Sequence, residues 1–203
     1  MKIKIGDKIK IYYYIENSKI EDYITITLID NNYLYTCGHC FPKNAKTEYG
    51  TLLYSSGFDE PSEGQEIAKI KIYDSKLHLF NNVNISNNFV DTKDNIKTVL
   101  INNRKKYRGI ILSQINKKLK KGVNIINDYK IDHTITKLNE PYYLVKIIDD
   151  LNDNGNYNFG LSGSPWIVYQ NGLKLLGGHI GRTYGKDPNG NNIIISYVKP
   201  IKN

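Results

Sequence analysis

A histidine and a serine stand in short segments whose residue types suit covalent catalysis. His39 lies in LYTCGHCF (residues 34–41), a β-type run that ends in a Gly-containing turn. Ser162 lies in GLSGSP (residues 160–165), where small residues let the backbone turn tightly and leave the hydroxyl exposed. A catalytic serine needs a base to accept its proton and backbone N–H groups to bind the developing oxyanion. The residue types in the two segments suit nucleophilic catalysis by a serine that is assisted by a histidine.

In this order, the segments resemble those of the chymotrypsin-like serine peptidases. YTCGHC is similar to that family's TAAHC segment, and GLSGSP to its GDSGGP segment and still more to the GxSGSP of glutamyl endopeptidases and viral serine main proteases. The resemblance implies an all-β fold of two six-stranded antiparallel β-barrels with the active site between them. It also implies a serine endopeptidase with a polypeptide substrate and no cofactor. In that enzyme Ser162 would be the nucleophile and His39 the general base, and the N–H groups of Gly160 and Ser162 would form the oxyanion hole.

The resemblance requires an acid that orients the imidazole and stabilises its cation. In the family this acid stands just before the last strand of the first barrel, and residues 96–101 are the predicted counterpart of that strand, which favours Asp94. Glu66 opens EIAKIKI, which resembles the family's D-φ-A-φ-φ pattern, but it leaves too few residues after His39 for two strands. The candidates are therefore Asp94, which we predict, and Asp91, Asp74 and Glu66.

A second histidine bears on substrate choice. LLGGHIG (residues 175–181) resembles the GxH element of glutamyl endopeptidases and viral main proteases, which implies that His179 lines the primary pocket and binds a Glu or Gln side chain before the scissile bond. Tyr157 stands five residues before the nucleophile, where those families usually carry Thr or Ser.

Leu161 replaces the Asp that digestive relatives pair with a new N-terminus, so zymogen activation of that kind is not expected.

The elements that must position these residues are predicted to be strands. Apolar and β-branched residues recur with a period of two in short runs separated by Asn, Asp, Gly and Ser clusters. The runs divide evenly around a basic segment, residues 104–121, which is predicted to be a connector between an N-terminal barrel (1–103) and a C-terminal barrel (122–203). Within the connector, 109–112 is strand-like and a helical turn is expected near 115–119. The predicted strands are 3–15, 23–29, 33–36, 51–54, 67–73, 96–101, 123–126, 134–138, 142–148, 166–169, 173–178 and 193–198.

The composition of the chain bears on its binding partners, its cellular location and its source. The chain has 203 residues and a net charge of +8, but its lysines are spread along the sequence, so a nucleic-acid partner is not favoured. It shows neither a signal-peptide pattern nor an apolar run of membrane-spanning length. Its two cysteines, Cys37 and Cys40, are too close to cross-link distant parts of the fold, which indicates a reducing, intracellular location. The chain is rich in Lys, Asn, Ile and Tyr, as expected of a protein encoded by an AT-rich genome. Together with the resemblance, this is compatible with a viral or microbial source.

Two other functions compete with hydrolysis. CGHC (residues 37–40) is also the motif of thiol-disulfide oxidoreductases, but that chemistry needs a helix N-terminus and this motif follows a strand-like run. A zinc site is not predicted, because two Cys and one His lack a second ligand cluster at structural spacing. A protease-like fold without activity, surviving as a binding module, is the main alternative.

Overall fold

The architecture is almost entirely β. A computed structural model describes residues 1–42, 44–55, 66–82, 85–86, 90, 95–134, 138–149 and 161–201, and within them the only helices are two short 3₁₀ turns, η1 (Gly38–Cys40) and η2 (Asp74–Leu79). The strands are β1 (Lys8–Ile15), β2 (Ser18–Thr25), β3 (Leu28–Asp30), β4 (Tyr33–Cys37), β5 (Gly50–Tyr54), β6 (Ile67–Ile72), β7 (Lys97–Asn102), β8 (Lys105–Ile115), β9 (Gly122–Ile126), β10 (Tyr129–His133), β11 (Tyr142–Ile147), β12 (Pro165–Tyr169), β13 (Leu173–Lys186) and β14 (Asn192–Lys199).

The first six strands enclose one core. β1 and β2 form a hairpin, and the other four form an antiparallel sheet in the order β3-β4-β6-β5. Apolar side chains of both sheets, including Ile11, Leu34 and Ile70, pack into the same buried cluster. Backbone bonds between Tyr12 and Lys46 join the β1 edge to the segment before β5. In this half of the chain, β4 ends at the turn that carries His39.

The last eight strands form one sheet, and six of them close into a barrel. Six of them pair antiparallel in a ring, β7-β8-β11-β14-β13-β12, which the β12–β7 pairing closes, and the β9–β10 hairpin extends from β13 outside the ring. Trp166 of β12 is fully buried over Gly109, where a Cβ would lie 2.6 Å from the indole ring. The predicted all-β class and the closed six-stranded antiparallel barrel are confirmed.

Strand β7 and the basic segment differ from expectation. Residues 96–101 were expected as a strand of the first barrel and 104–121 as a connector between barrels, but β7 and β8 form a hairpin of the closed barrel. Asn103 and Arg104 both have positive φ, the two-residue turn that keeps consecutive strands paired. The helical turn expected near 115–119 is wrong, since β8 continues to Ile115 and the following residues are irregular. The division into domains at residues 103 and 121 stays a prediction.

In the β9–β10 hairpin, the second strand lies earlier in the sequence than predicted. A strand was expected over 134–138, whereas β10 spans Tyr129–His133 and residues 135–137 lie outside the described part of the chain. Asn127 and Asp128 provide the two positive φ values of its turn. Among the described residues, no helix has the length and apolar character needed to cross a membrane.

Candidate active site

The turn that carries His39 is fixed by backbone and hydroxyl hydrogen bonds. β4 ends at Cys37, and η1 follows at once. The Gly38 N–H donates to the Glu66 carbonyl at 2.8 Å, which ties η1 to the start of β6. The Ser55 hydroxyl lies 2.9 Å from the Gly38 carbonyl and 2.6 Å from the Phe41 carbonyl. His39 is therefore presented from a rigid strand end and is itself half-buried.

Ser162 lies in a tight turn at the start of β12. The Ser164 N–H donates to the Leu161 carbonyl at 2.9 Å, and the Gly163 N–H donates to the His179 carbonyl of β13 at 2.8 Å. The Ser162 Oγ faces His39 Nε2 at 3.1 Å, within the range that general-base catalysis requires. Two residues 123 positions apart are thus brought into hydrogen-bond contact.

One of the two predicted oxyanion donors can be located. The N–H of Ser162 has no backbone hydrogen-bond acceptor among the residues that the structure describes. Gly160, the second predicted donor, lies outside the described residues.

Gly163 seats the nucleophile turn on the N-terminal sheets. Its φ is +86°, and a Cβ there would lie 2.7 Å from the Thr25 carbonyl oxygen and 2.9 Å from Thr36 Oγ1. The Thr27 hydroxyl donates to the Gly163 carbonyl at 2.5 Å. Because β4 also leads into His39, this contact positions the turn that carries Ser162 relative to His39.

Gly163→Ala is expected to lower activity by much more than it lowers stability. The added methyl must push the turn away from Thr25 and Thr36. A displacement of about 1 Å between two catalytic groups costs about 10²-fold in rate. Gly172→Ala is the matched control, because Gly172 also has positive φ (+104°) but nothing within 4 Å of its Cβ position. Both variants carry a backbone penalty of about 1–3 kcal/mol. Equal activities of the two variants, measured with thermal unfolding, would refute the seating role of Gly163.

In the described part of the chain, the second nitrogen of His39 faces a sulfur atom. His39 Nδ1 lies 2.8 Å from Cys37 Sγ. Burial raises the pKa of the Cys37 thiol. Hydrogen bonding from Cys37, followed by contacts with His39 and Ser162, lowers the pKa of the Cys40 thiol to about 5, although burial opposes this. The hydrogen bond with Cys40 in turn raises the pKa of His39. Both cysteines are free thiols.

The four candidate acids separate clearly by position. Asp94 and Asp91 lie outside the described residues, and β7, the strand used to place Asp94, belongs to the closed barrel. Asp74 is exposed and follows the far end of β6, roughly 20 Å along the strand from its start beside Cys37. Glu66 immediately precedes β6 and is only 4% exposed.

Glu66 has an incompletely satisfied carboxylate. Its Oε1 accepts a 3.3 Å hydrogen bond from the Asn139 N–H. Its Oε2 is buried and has no hydrogen-bond partner within the described part of the chain. Buried carboxylate oxygens are nearly always hydrogen-bonded, because leaving one unpaired is costly. The oxygen without a partner in the described residues therefore makes Glu66 a functional candidate, and its backbone carbonyl accepts from Gly38 of η1.

His179 lies deep beside the nucleophile turn. It is 3% exposed, and its Nδ1 lies 2.5 Å from the Ser196 Oγ of β14. Burial, followed by the charges of Arg182 and His39, lowers the pKa of His179 to about 3, so its ring is neutral at neutral pH. Tyr157, the other predicted pocket residue, lies outside the described residues.

Comparison with known proteins supports the architecture. No protein-family model matches the chain, and no curated protein matches its sequence. An inactive mutant of the murine norovirus NS6 protease matches with a TM-score of 0.51 and 11% identity over 89% of this chain and 87% of that chain. The Rv3671c protease from M. tuberculosis, in its active form, gives 0.48 and 14% over 96% and 76%. The serine protease AL20 from an extremophilic microorganism gives 0.39 and 10% over 94% and 90%. The chain has the chymotrypsin-like protease fold.

Two contributors to the site were not predicted from the sequence. Ser196 lies in an ordinary β14 run, and nothing in its local sequence marks it. Cys37 was noted only as part of CGHC, a motif in which the spacing does suggest that the two thiols and the histidine converge. The structure brings together His39, Ser162 and His179 from the predicted set.

Proposed function

We propose that this protein is a serine endopeptidase that hydrolyses peptide bonds through an acyl-enzyme, with Ser162 as nucleophile and His39 as general base. The observation that carries the proposal is the 3.1 Å contact between His39 Nε2 and Ser162 Oγ, made across two separately built halves of a protease fold. In this role Nε2 accepts the hydroxyl proton as Oγ attacks the carbonyl carbon, and later returns a proton to the leaving amine. The Ser162 N–H donates to the oxyanion.

We further propose Glu66 as the acid of the triad, in place of Asp94. The Gly38 N–H···Glu66 carbonyl bond puts Glu66 opposite the residue that precedes His39, and its Oε2 lacks a partner among the described residues. This role requires the buried carboxylate to turn toward Nδ1 and to take the place of the Cys37 thiol there. The acid would then hold the proton on Nδ1 and leave Nε2 free to act as base.

We propose that His179 selects Glu or Gln before the scissile bond. Trp166 Nε1 can only donate, so Ser196 Oγ accepts from it at 3.0 Å. Ser196 is fully buried, and its own proton then finds its acceptor in His179 Nδ1. This chain of bonds places the imidazole proton on Nε2, and a neutral N–H donor suits the carbonyl-type oxygen of a Glu or Gln side chain.

Cleavage profiling with a peptide library tests the pocket. The expected preference is Glu or Gln, and His179→Leu is expected to lower kcat/KM for those peptides by about 10²-fold or more, because the paired oxygen loses its donor. His133→Leu is the matched control, since His133 is also buried and also bonded to a β14 hydroxyl, that of Tyr197 at 3.1 Å. A basic or aromatic preference would overturn the role of His179.

Covalent labelling tests the central proposal. A fluorophosphonate probe reacts with an activated serine and is expected to label the folded protein, with the adduct mapping to Ser162 and disappearing on heat denaturation. An adduct on another residue would assign a different nucleophile. Failure of the folded protein to label at any pH would instead favour the alternative function, a protease-like binding module.

A further inference from the structure

The three metal-binding side chains of η1 converge on one point. The potential ligand atoms of Cys37, His39 and Cys40 all lie within 4.8 Å of one another. Cys37 Sγ lies 2.8 Å from Nδ1 and 3.6 Å from Nε2 of His39. In a tetrahedral zinc site, bond lengths of about 2.3 Å to sulfur and 2.0 Å to nitrogen place neighbouring ligand atoms about 3.5 to 3.8 Å apart. Small side-chain rotations are enough to reach that geometry.

We propose that Cys37, His39 and Cys40 form a Zn²⁺ site whose occupation switches the protease off. Two sulfurs and one imidazole are a soft donor set that suits Zn²⁺ and disfavours Mg²⁺ or Ca²⁺. Three protein ligands leave a fourth position for water or for the nearby Ser162 hydroxyl, as in zinc sites that keep an open coordination position. His39 and Cys40 are partly exposed, so an ion can reach the cluster from solvent.

Zinc on His39 removes the general base, whichever nitrogen it occupies. If Zn²⁺ takes Nδ1, then Nε2 carries the ring proton and donates to Ser162 instead of accepting from it. If Zn²⁺ takes Nε2, the contact between His39 and Ser162 is broken. The inhibitory consequence rests on the proposed peptidase function, whereas the metal site itself does not.

The binding test uses reduced Ser162→Ala protein, which cannot hydrolyse itself. Titration with Co²⁺ is expected to produce sulfur-to-metal charge-transfer bands and the strong visible bands of tetrahedral cobalt, saturating at about one equivalent. Addition of Zn²⁺ is expected to remove these bands by displacing Co²⁺. A protein that gives only the weak spectrum of hydrated Co²⁺ would overturn the site.

Variants assign the ligands. Cys37→Ser and Cys40→Ser are each expected to weaken Co²⁺ binding by more than about tenfold, since even the loss of a group that merely supports a ligand costs that much. The control is His78→Asn, which removes an exposed histidine of η2 and is expected to leave binding unchanged. Equal affinity of the cysteine variants and the parent protein would also overturn the site.

Activity gives a separate readout. In the unsubstituted chain, Zn²⁺ is expected to block fluorophosphonate labelling of Ser162, and a chelator is expected to restore it. Tetrahedral thiolate spectra in a protein that never labels would refute the peptidase function and keep the metal site. Labelling that Zn²⁺ does not affect, despite binding, would overturn the switch.

Discussion

Replacing Ser162 by alanine is expected to lower kcat for peptide hydrolysis by about 10⁶-fold, the size of loss seen when a serine nucleophile is removed from an intact triad. The physical reason is that His39 then has no hydroxyl to deprotonate, and Cβ cannot attack a carbonyl. The fold is expected to persist, because the contacts of Ser162 Oγ in the described part of the chain are with His39 and Cys40 of the neighbouring turn, plus a long 3.5 Å approach to the Ile180 carbonyl. The measurement is the rate on the best peptide from library profiling, together with thermal unfolding.

Ser164→Ala provides the comparison within the same turn. Ser164 is fully buried and accepts a 2.8 Å hydrogen bond from Asn102 Nδ2, so its loss tests whether damage to the turn alone can abolish hydrolysis. It is expected to lower stability and to cost far less activity than Ser162→Ala. Substantial hydrolysis by Ser162→Ala would point to another nucleophile, and Cys40→Ala would then show whether the neighbouring thiol supplies it.

Replacing Glu66 by glutamine is expected to lower kcat by about 10⁴-fold with little change in KM. An amide in place of the acid keeps the shape of the site but favours the wrong imidazole tautomer, and that substitution has a cost of this size in a Ser-His-acid triad. Asp74→Asn, which neutralises an exposed carboxylate at the other end of β6, is the charge-matched control. This variant is expected to leave kcat unchanged.

Stability separates a catalytic Glu66 from a structural one. Its Oε2 is buried without a partner in the described residues, so neutralising the side chain removes a desolvation cost. Glu66→Gln is therefore expected to unfold at the same or a higher temperature while losing activity. A parallel loss of stability and activity, or full activity, would remove Glu66 from the triad, and Asp94→Asn would then be the next variant to measure.

The parts of the site that could be predicted were those carried by short-range sequence. His39 and Ser162 stand in turns whose Gly residues and flanking strands are readable locally, and the structure places them in contact. The strand periodicity likewise predicted an all-β fold, and the family resemblance implied the antiparallel barrel. Trp166 and Gly109 pack tightly inside it, but their pairing could not be read from either segment, because it depends on how β8 and β12 register across the ring.

The choice of acid depends on counting strands, and local sequence does not determine how many strands separate two residues. We expected two strands between His39 and Glu66, whereas β5 is the strand that the structure describes between them. Asp94 lies outside the described residues, so its role stays a prediction. Residues 96–101 were expected in the N-terminal barrel, but β7 (Lys97–Asn102) pairs with β8 and β12, because a strand pattern does not specify its pairing partner. Ser196 could not be found at all, since its role arises only when β13 and β14 pair.

The position of β14 in the ring orders the events of synthesis. The strands that present His39 are complete once Ile72 has been made, whereas β14 pairs with both β11 and β13 and must be added before the ring can close. Chains generally fold from the N-terminus as they emerge from the ribosome. The half bearing His39 can therefore form early, but the barrel that holds Ser162 in place waits for β14. Under the proposed function, a nascent chain therefore holds His39 in its turn before Ser162 is positioned, and it is expected to gain activity only once β14 is in place.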